Sequence, residues 1–315
     1  MKITGCPLEV LIGLSTLVLV AGTISAQNAT PNGASVHMVV TAEARHGSDV
    51  PEITQRDVMV FEGHDRDEVT SWIPAKGDSA ALELFILLDD GSGINLGTQL
   101  DSLRKFIMAQ PASTKIGIAY MQNGTAKVAQ APTGDHALAA KALRLPLGVG
   151  SADASPYFSL SDLIKRWPQS AARREVFMAT DGVDLYYGVG DLQDPYLDAA
   201  IDDAVRAGII AYAIYTPGAG HIGHSYWQNY WGQIYLSRLT DETGGESYYI
   251  GFTGGPVRFD PYLEDMENRL AHQYLLTFNA KPQKKNGWQR IKITTEVPNA
   301  ELVSTHRAYV SASER

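Results

Sequence analysis

Two carboxylates, Asp89 and Asp90, close the apolar run "ELFILLDD", and a third, Asp181, follows the later run "REVFMAT". Carboxylates at the ends of two buried strands of one sheet can converge. With serine or threonine oxygens and water they form the hard oxygen shell that Mg²⁺ or Ca²⁺ prefers. The same carboxylates can instead cap helices or accept backbone amides at strand ends. General acid–base work is open to an acid pair in principle. No constellation for hydrolysis accompanies it, because the chain has no G-x-S-x-G elbow and Ser92 has no assignable histidine partner.

Other segments invite chemistry less strongly. "GAGHIG", residues 218–223, matches G-x-G-x-x-G, but it follows a late strand and no strand-end acid lies about 20 residues on, since Asp241 belongs to a helix end. It reads as a surface loop. Its His221 and His224 make half of a zinc site. Tyr226, Trp227, Tyr230, Trp231 and Tyr235 cover more than one face of a helix, so some of them are expected on the sheet while the rest are available to a partner.

The elements that must position these residues follow from periodicity. "ELFILLDD", "KIGIAYM", "REVFMATDG" and "IIAYAIYT" are short, nearly continuous apolar runs, as expected of strands covered on both faces. Leu96, Leu100, Leu103 and Ile107 repeat at helical spacing up to Pro111, with Asn95 as the expected cap. Asp194, Pro195 and Gly208 bracket another helix as cap, first residue and left-handed stop. "HALAAKALRL", "PYFSLSDLIKRW" and "WQNYWGQIYLSRLTDE" read as helices. The alternation predicts an α/β fold: a Rossmann-like open sheet of mainly parallel strands with helices on both faces. Period-2 segments at both ends, "SVHMVVTAEAR" with the hairpin around Gly63-His64 and then "YLLTFNA", "WQRIKITTEV" and "THRAYVSA", predict β-rich flanks that pack together as one discontinuous module.

Lys2, an apolar stretch and the small-x-small ending Ile24-Ser25-Ala26 make residues 1–26 a signal peptide by pattern, and the core of that stretch is too short to span a bilayer. The single cysteine, Cys6, lies inside it, so no disulfide or thiol chemistry is expected in the remaining chain of about 289 residues. The net charge of −9 argues against a surface that tracks phosphates, so a nucleic-acid partner is not expected.

"FILLDDGSG" before a helix, then "VFMATDG" and "LTDETGGESYYIG" in that order, resemble the von Willebrand factor A domain family, in its bacterial VWFA-related subgroup. "PEITQRDVMVFEG" before the core, and "HQYLLTF" and "HRAYV" after it, resemble the flanks of that subgroup. The resemblance implies a binding role and a metal-ion-dependent adhesion site built on an Asp-x-Ser-x-Ser motif, a Thr and a second Asp. Asp89 and Asp181 take the two acid positions, whereas the serine positions fall on Gly91 and Gly93. Shifting by one residue brings in Asp90 and Ser92, but the last position is then Ile94; Ser155 is the nearest stand-in for the Thr. The implied site is therefore degenerate.

The chain is thus expected to comprise a signal peptide (1–26), an N-terminal β-rich segment (27–80), an A-type domain (81–253) and a C-terminal helix and β-rich segment (254–315). The expected function is that of an exported, periplasmic, envelope-associated or secreted module that binds a protein partner, without an integral membrane segment after cleavage. The binding loops would include Gly91, Gly93, Asn95, Asp184, His221 and His224. No cofactor is expected, with Mg²⁺ or Ca²⁺ as the open alternative. A ligand-binding protein or enzyme using such an ion at Asp89 and Asp181 is the competing reading.

Overall fold

The alternating N-terminal segment forms β1 (Ser35–Ala44), and the expected hairpin forms β2 (Val58–Glu62) and β3 (Asp65–Pro74), with Gly63 at φ +63° supplying the left-handed turn residue. The computed structural model describes Met1 and residues 34–91, 94–147, 155–216, 225–249, 258–281 and 285–310, leaving out the side chains of Ile94 and Asn95. Ser92, Gly93, His221 and His224 lie outside the described residues, as does the signal segment beyond Met1. Among the described residues no helix is long and apolar enough to cross a membrane.

The core then runs through β4 (Leu82–Asp89), α1 (Ile94–Gly97), α2 (Leu100–Ala109), β5 (Thr114–Gln122), β6 (Thr125–Thr133) and α3 (His136–Lys141). It continues through α4 (Pro156–Arg166), β7 (Arg173–Thr180), α5 (Pro195–Ala207), β8 (Ile209–Tyr215), α6 (Tyr226–Thr243) and β9 (Ser247–Tyr249). Its six strands lie in the order β6-β5-β4-β7-β8-β9. All neighbours are parallel except the edge pair β5–β6. Successive β4 side chains go to opposite faces, as the strand period requires. Leu84, Ile86 and Leu88 pack with Leu103 of α2 and Ala139 of α3, whereas Phe85 and Leu87 pack with Leu160 of α4, Ile201 of α5 and Tyr235 of α6. Burial on both faces is why these strands read as unbroken apolar runs.

The chain closes with α7 (Asp260–Ala271), β10 (Gln273–Asn279), β11 (Gly287–Thr295), β12 (Ala300–Val303) and β13 (Arg307–Val310). The second sheet draws on both ends of the chain, in the order β12-β1-β10-β3-β2-β11-β13, and every pair in it is antiparallel. Residues 33–315 form one compact unit that contains both sheets.

Three local expectations are corrected. Asn95 is the second residue of α1 and therefore not a cap; the helix breaks after Gly97, and α2 starts beyond Gln99, whose side chain accepts the Phe259 amide at 3.0 Å. The helix expected from "HALAAKALRL" ends at Lys141 because Tyr120 Oη and the Arg144 backbone pull the chain onto the sheet. The strand β12 was not foreseen, since "AELV" is too short to show alternation. The bracketed helix is as expected: Asp194 accepts the amides of Tyr196 and Leu197 at 2.8 and 3.1 Å, and Gly208 closes α5 at φ +66°.

Candidate functional site

Strand order reverses between β4 and β7, with β5 and β6 on one side and β8 and β9 on the other. In open α/β sheets the crevice beyond the carboxyl ends at such a switch point is the ligand site. Asp89 is the last residue of β4, and Asp181 directly follows β7, so the sheet brings the first and third acids together as expected. Thr180 Oγ1 donates to Asp89 Oδ2 at 2.8 Å, and the Gly91 amide donates to Asp89 Oδ1 at 2.8 Å. Asp181 Oδ1 accepts the Val183 amide at 2.9 Å. Burial, and then the charge of Asp181, raise the Asp89 carboxyl to about 7.

Asp90 faces the other side of the strand and is wholly buried. Arg144 grips it with two bonds, Nη1 to Oδ1 at 2.6 Å and Nη2 to Oδ2 at 2.8 Å. The Leu147 amide and the Gln122 side chain occupy its remaining acceptor sites. Burial alone would raise this carboxyl, but the bonds from Arg144, Gln122 and Leu147 outweigh it and hold it below the usual carboxylate range. Asp90 is thus a lock between β4 and the segment after α3, and it does not belong to the cleft.

Ser155 and Asp184 also turn inward. Ser155 Oγ donates to Asp184 Oδ2 at 2.8 Å, and Asp184 Oδ1 accepts the amides of Tyr186 and Tyr187 at 2.7 and 2.9 Å. Both side chains are buried, so Asp184 organises the loop after β7 from within instead of offering a carboxylate to a partner. Sequence reasoning missed Thr180, Gln122, Arg144 and Gly232. Thr180 was detectable, as the residue before Asp181 in "MATDG"; Arg144 lies 54 residues from its partner with no periodic signal. Gly232, inside α6, lets the loop at Asp181 pack against the helix: a Cβ there would lie 2.2 Å from the Asp181 carbonyl oxygen.

The comparisons with known proteins bear on this architecture alone. No family model matches the sequence, and a search of curated proteins finds no match. Among solved structures, an aerotolerance-related membrane protein from Bacteroides fragilis is 12% identical, with 60% of this chain and 98% of that chain covered and a TM-score of 0.42. The human COPII-coat protein Sec24c is 8% identical, with 74% of this chain and 44% of that chain covered and a TM-score of 0.43. The SpRpn10 VWA domain is 13% identical, with 59% of this chain and 95% of that chain covered and a TM-score of 0.36. The doubly wound sheet with acids at its switch point is the architecture that the family resemblance implied. Likenesses at these identities carry nothing about activity, partner or location.

A divalent cation is the group such a fold implies, and the donor set among the described residues does not fit one. Hard cations need several oxygens with free lone pairs. Both Asp89 oxygens and one Asp181 oxygen accept protein hydrogen bonds, Asp90 is saturated by Arg144, and Ser155 is committed to Asp184. No group of three or more histidine, cysteine or acidic side chains placed to hold a metal ion is found among the described residues.

The Asp89–Asp181 pair makes a pH prediction. A carboxyl raised on folding binds its proton more tightly in the native state, so stability falls as pH rises from the unfolded value near 3.8 through about 7 and then levels off. The urea midpoint of the wild type is expected to fall across that window. In Asp89→Asn the fall is expected to be shallower; buried Glu175, also raised to about 7, and Asp67, raised to about 6, contribute to what remains. Parallel pH profiles for the two proteins would refute the assignment.

Proposed function

We propose that the protein is an exported protein-interaction module whose contact surface is an aromatic rim at the carboxyl ends of β7 and β8. One observation carries the reading. Tyr186 (56% exposed) and Leu192 (60%) on the loop after β7, and Tyr226 (73%), Trp227 (54%) and Tyr230 (45%) on the first turns of α6, are all exposed. The loop is tied to α6, since Tyr235 Oη donates to the Asp191 carbonyl at 2.8 Å and Arg238 Nη1 to the Leu192 carbonyl at 2.7 Å.

A large exposed apolar cluster costs solubility, and on a folded protein it marks an interaction site. Aromatic side chains are also the residue types that dominate binding hot spots. This rim is held rigidly, as an interface needs. Trp227 stacks on Tyr230 with centroids 6.1 Å apart, while Trp231 and Tyr235 beneath them are buried against the sheet. The expected division of the aromatic cluster into core and surface residues is therefore met. Tyr186 packs edge-on against Phe158 and Tyr196, both at 5.3 Å. The negative net charge fits a protein partner better than a nucleic acid. We propose no enzymatic role, because the acids at the switch point are engaged by threonine and backbone amides.

Capture from the envelope fraction of the source organism tests the reading. A Trp227→Ala/Tyr230→Ala variant is expected to lose at least about tenfold in recovery of any specifically bound partner. Capture by the wild type is expected to resist EDTA. Equal recovery by both proteins would move the contact surface elsewhere, and EDTA-sensitive capture would restore the cation-mediated reading.

A further inference from the structure

Far from the switch point, a cavity of about 460 Å³ lies between the C-terminal end of α5 and the strands β1 and β13. In a chain of net charge −9, its lining contains three arginines, Arg174, Arg206 and Arg307, together with His37, and no aspartate or glutamate. The arginines come from three different elements, β7, α5 and β13, so their convergence is a product of the fold and not of a basic stretch in the sequence.

Each guanidinium keeps donors to spare. Arg174 is more than nine-tenths buried. It donates one bond from Nη2 to the Ala207 carbonyl, at the C-terminal end of α5, and makes no ion pair with any described carboxylate. A guanidinium has five N–H donors, so capping the helix accounts for only a part of them. Burial without an ion pair lowers its pKa from the usual arginine value, with the charge of Glu83 opposing that shift. Arg206 is exposed and has no ion-pair partner among the described residues. It lies over the rings of Tyr309 and Trp288, with its guanidinium carbon 4.1 and 5.2 Å from their centroids. Arg307 pairs with Asp202 at 2.7 Å and Glu242 at 3.4 Å, stacks over Trp288 at 4.6 Å, and still has a buried Nε with no hydrogen-bond partner. Stacking fixes the guanidinium planes and leaves their N–H edges available, which lowers the entropy cost of gripping an oxyanion.

We propose that this cavity is a binding site for a small organic molecule that carries two or more phosphate or carboxylate groups. Planar guanidinium forks match both oxyanions through paired N–H···O bonds, and three of them can serve more than one anionic group. The volume exceeds what a single inorganic ion fills, and the lining includes Val36, Val205 and Val310, which suits a carbon skeleton.

Isothermal titration of the purified protein at low ionic strength, with pyrophosphate and with citrate, tests the proposal. At least one probe is expected to bind saturably and to weaken as NaCl is raised. In Arg206→Gln its Kd is expected to rise by about tenfold or more, the loss of one charge-assisted contact. Arg206 is exposed at a helix end, so this variant is expected to fold, which far-ultraviolet circular dichroism would check. Arg307→Gln is an independent second variant with the same expected loss. Arg104→Gln, which breaks the distant exposed pair with Asp101, is expected to bind as the wild type does. The pair of probes identifies the anion class. If neither binds the wild type, or if binding is unchanged in both Arg206→Gln and Arg307→Gln, the proposal is overturned.

Discussion

Gly182→Ala is expected to destabilise the protein by about 2–5 kcal/mol, measured as a fall in the urea-unfolding free energy. Two penalties add at this position. Its backbone is left-handed at φ +69°, where a Cβ costs about 1–2 kcal/mol. The same Cβ would lie 2.5 Å from the Gly232 carbonyl oxygen and 2.6 Å from Leu236 Cγ, and overpacking of this kind costs about 1–3 kcal/mol. Gly232→Ala sharpens the test, because alanine within an exposed helix would stabilise by about 1 kcal/mol. Here the contact with the Asp181 carbonyl reverses the sign, and a net loss of about 2 kcal/mol is expected. Both substitutions press on the same loop-to-helix contact, so the double variant is expected to cost less than the two single losses together. A stabilised Gly232→Ala would show that the loop and α6 are not in contact.

Arg144→Leu is expected to cost about 2–4 kcal/mol at neutral pH. Removing one partner of a buried pair leaves the other charge uncompensated, which costs about 3–5 kcal/mol when both are enclosed. The Arg144 side chain is 37% exposed and Asp90 keeps its bonds to Gln122 and Leu147, so the expected loss is set lower. The pH dependence identifies the cause. In the wild type the folded Asp90 carboxyl is lowered, so its stabilising contribution is present above the unfolded value near 3.8 and is lost as pH falls through the lower folded value. In the variant the same carboxyl is raised by burial, so the penalty disappears on protonation. The stability gap is therefore expected to narrow as pH falls toward 4, and Asp90→Asn in the Arg144→Leu background is expected to recover part of the loss. A gap independent of pH would mean that Arg144 acts through its aliphatic stem alone, including its contact with the Tyr120 ring at 3.7 Å.

The sheet was legible in the sequence wherever burial was two-sided or periodic. Leu82–Asp89 and Arg173–Thr180 were legible as short, largely apolar strands that run into acid, and Asp194, Pro195 and Gly208 marked both ends of α5. The acids at the strand ends were legible for the same reason, since a carboxylate directly after a buried strand has few places to lie. Their division of labour was not. Asp89 and Asp90 are neighbours in the chain, yet one bonds to Thr180 on β7 and the other to Arg144 beyond α3. Strand alternation separates them, and only tertiary packing decides which side faces the cleft. Asp184 reads as a loop acid, and its burial depends on Ser155 reaching it across 29 residues. The cavity of arginines was illegible because its members lie on elements that are distant in sequence.

The second sheet has a consequence for the way the chain acquires its structure. β1 pairs in register with β10, Ser35 opposite Asn279 and Thr41 opposite Gln273, so a strand made before the α/β core waits for one made after it. Nearly the whole α/β core is synthesised between them. Pairings of such sequence separation are slow to form, because the loop they close must first be condensed. The core can collapse on its own neighbouring contacts, whereas β1 to β3 keep open edges until β10 and β11 arrive. If the chain is exported as proposed, this delay is useful: the strands that follow the core complete the structure, and the unpaired earlier strands keep it threadable until then.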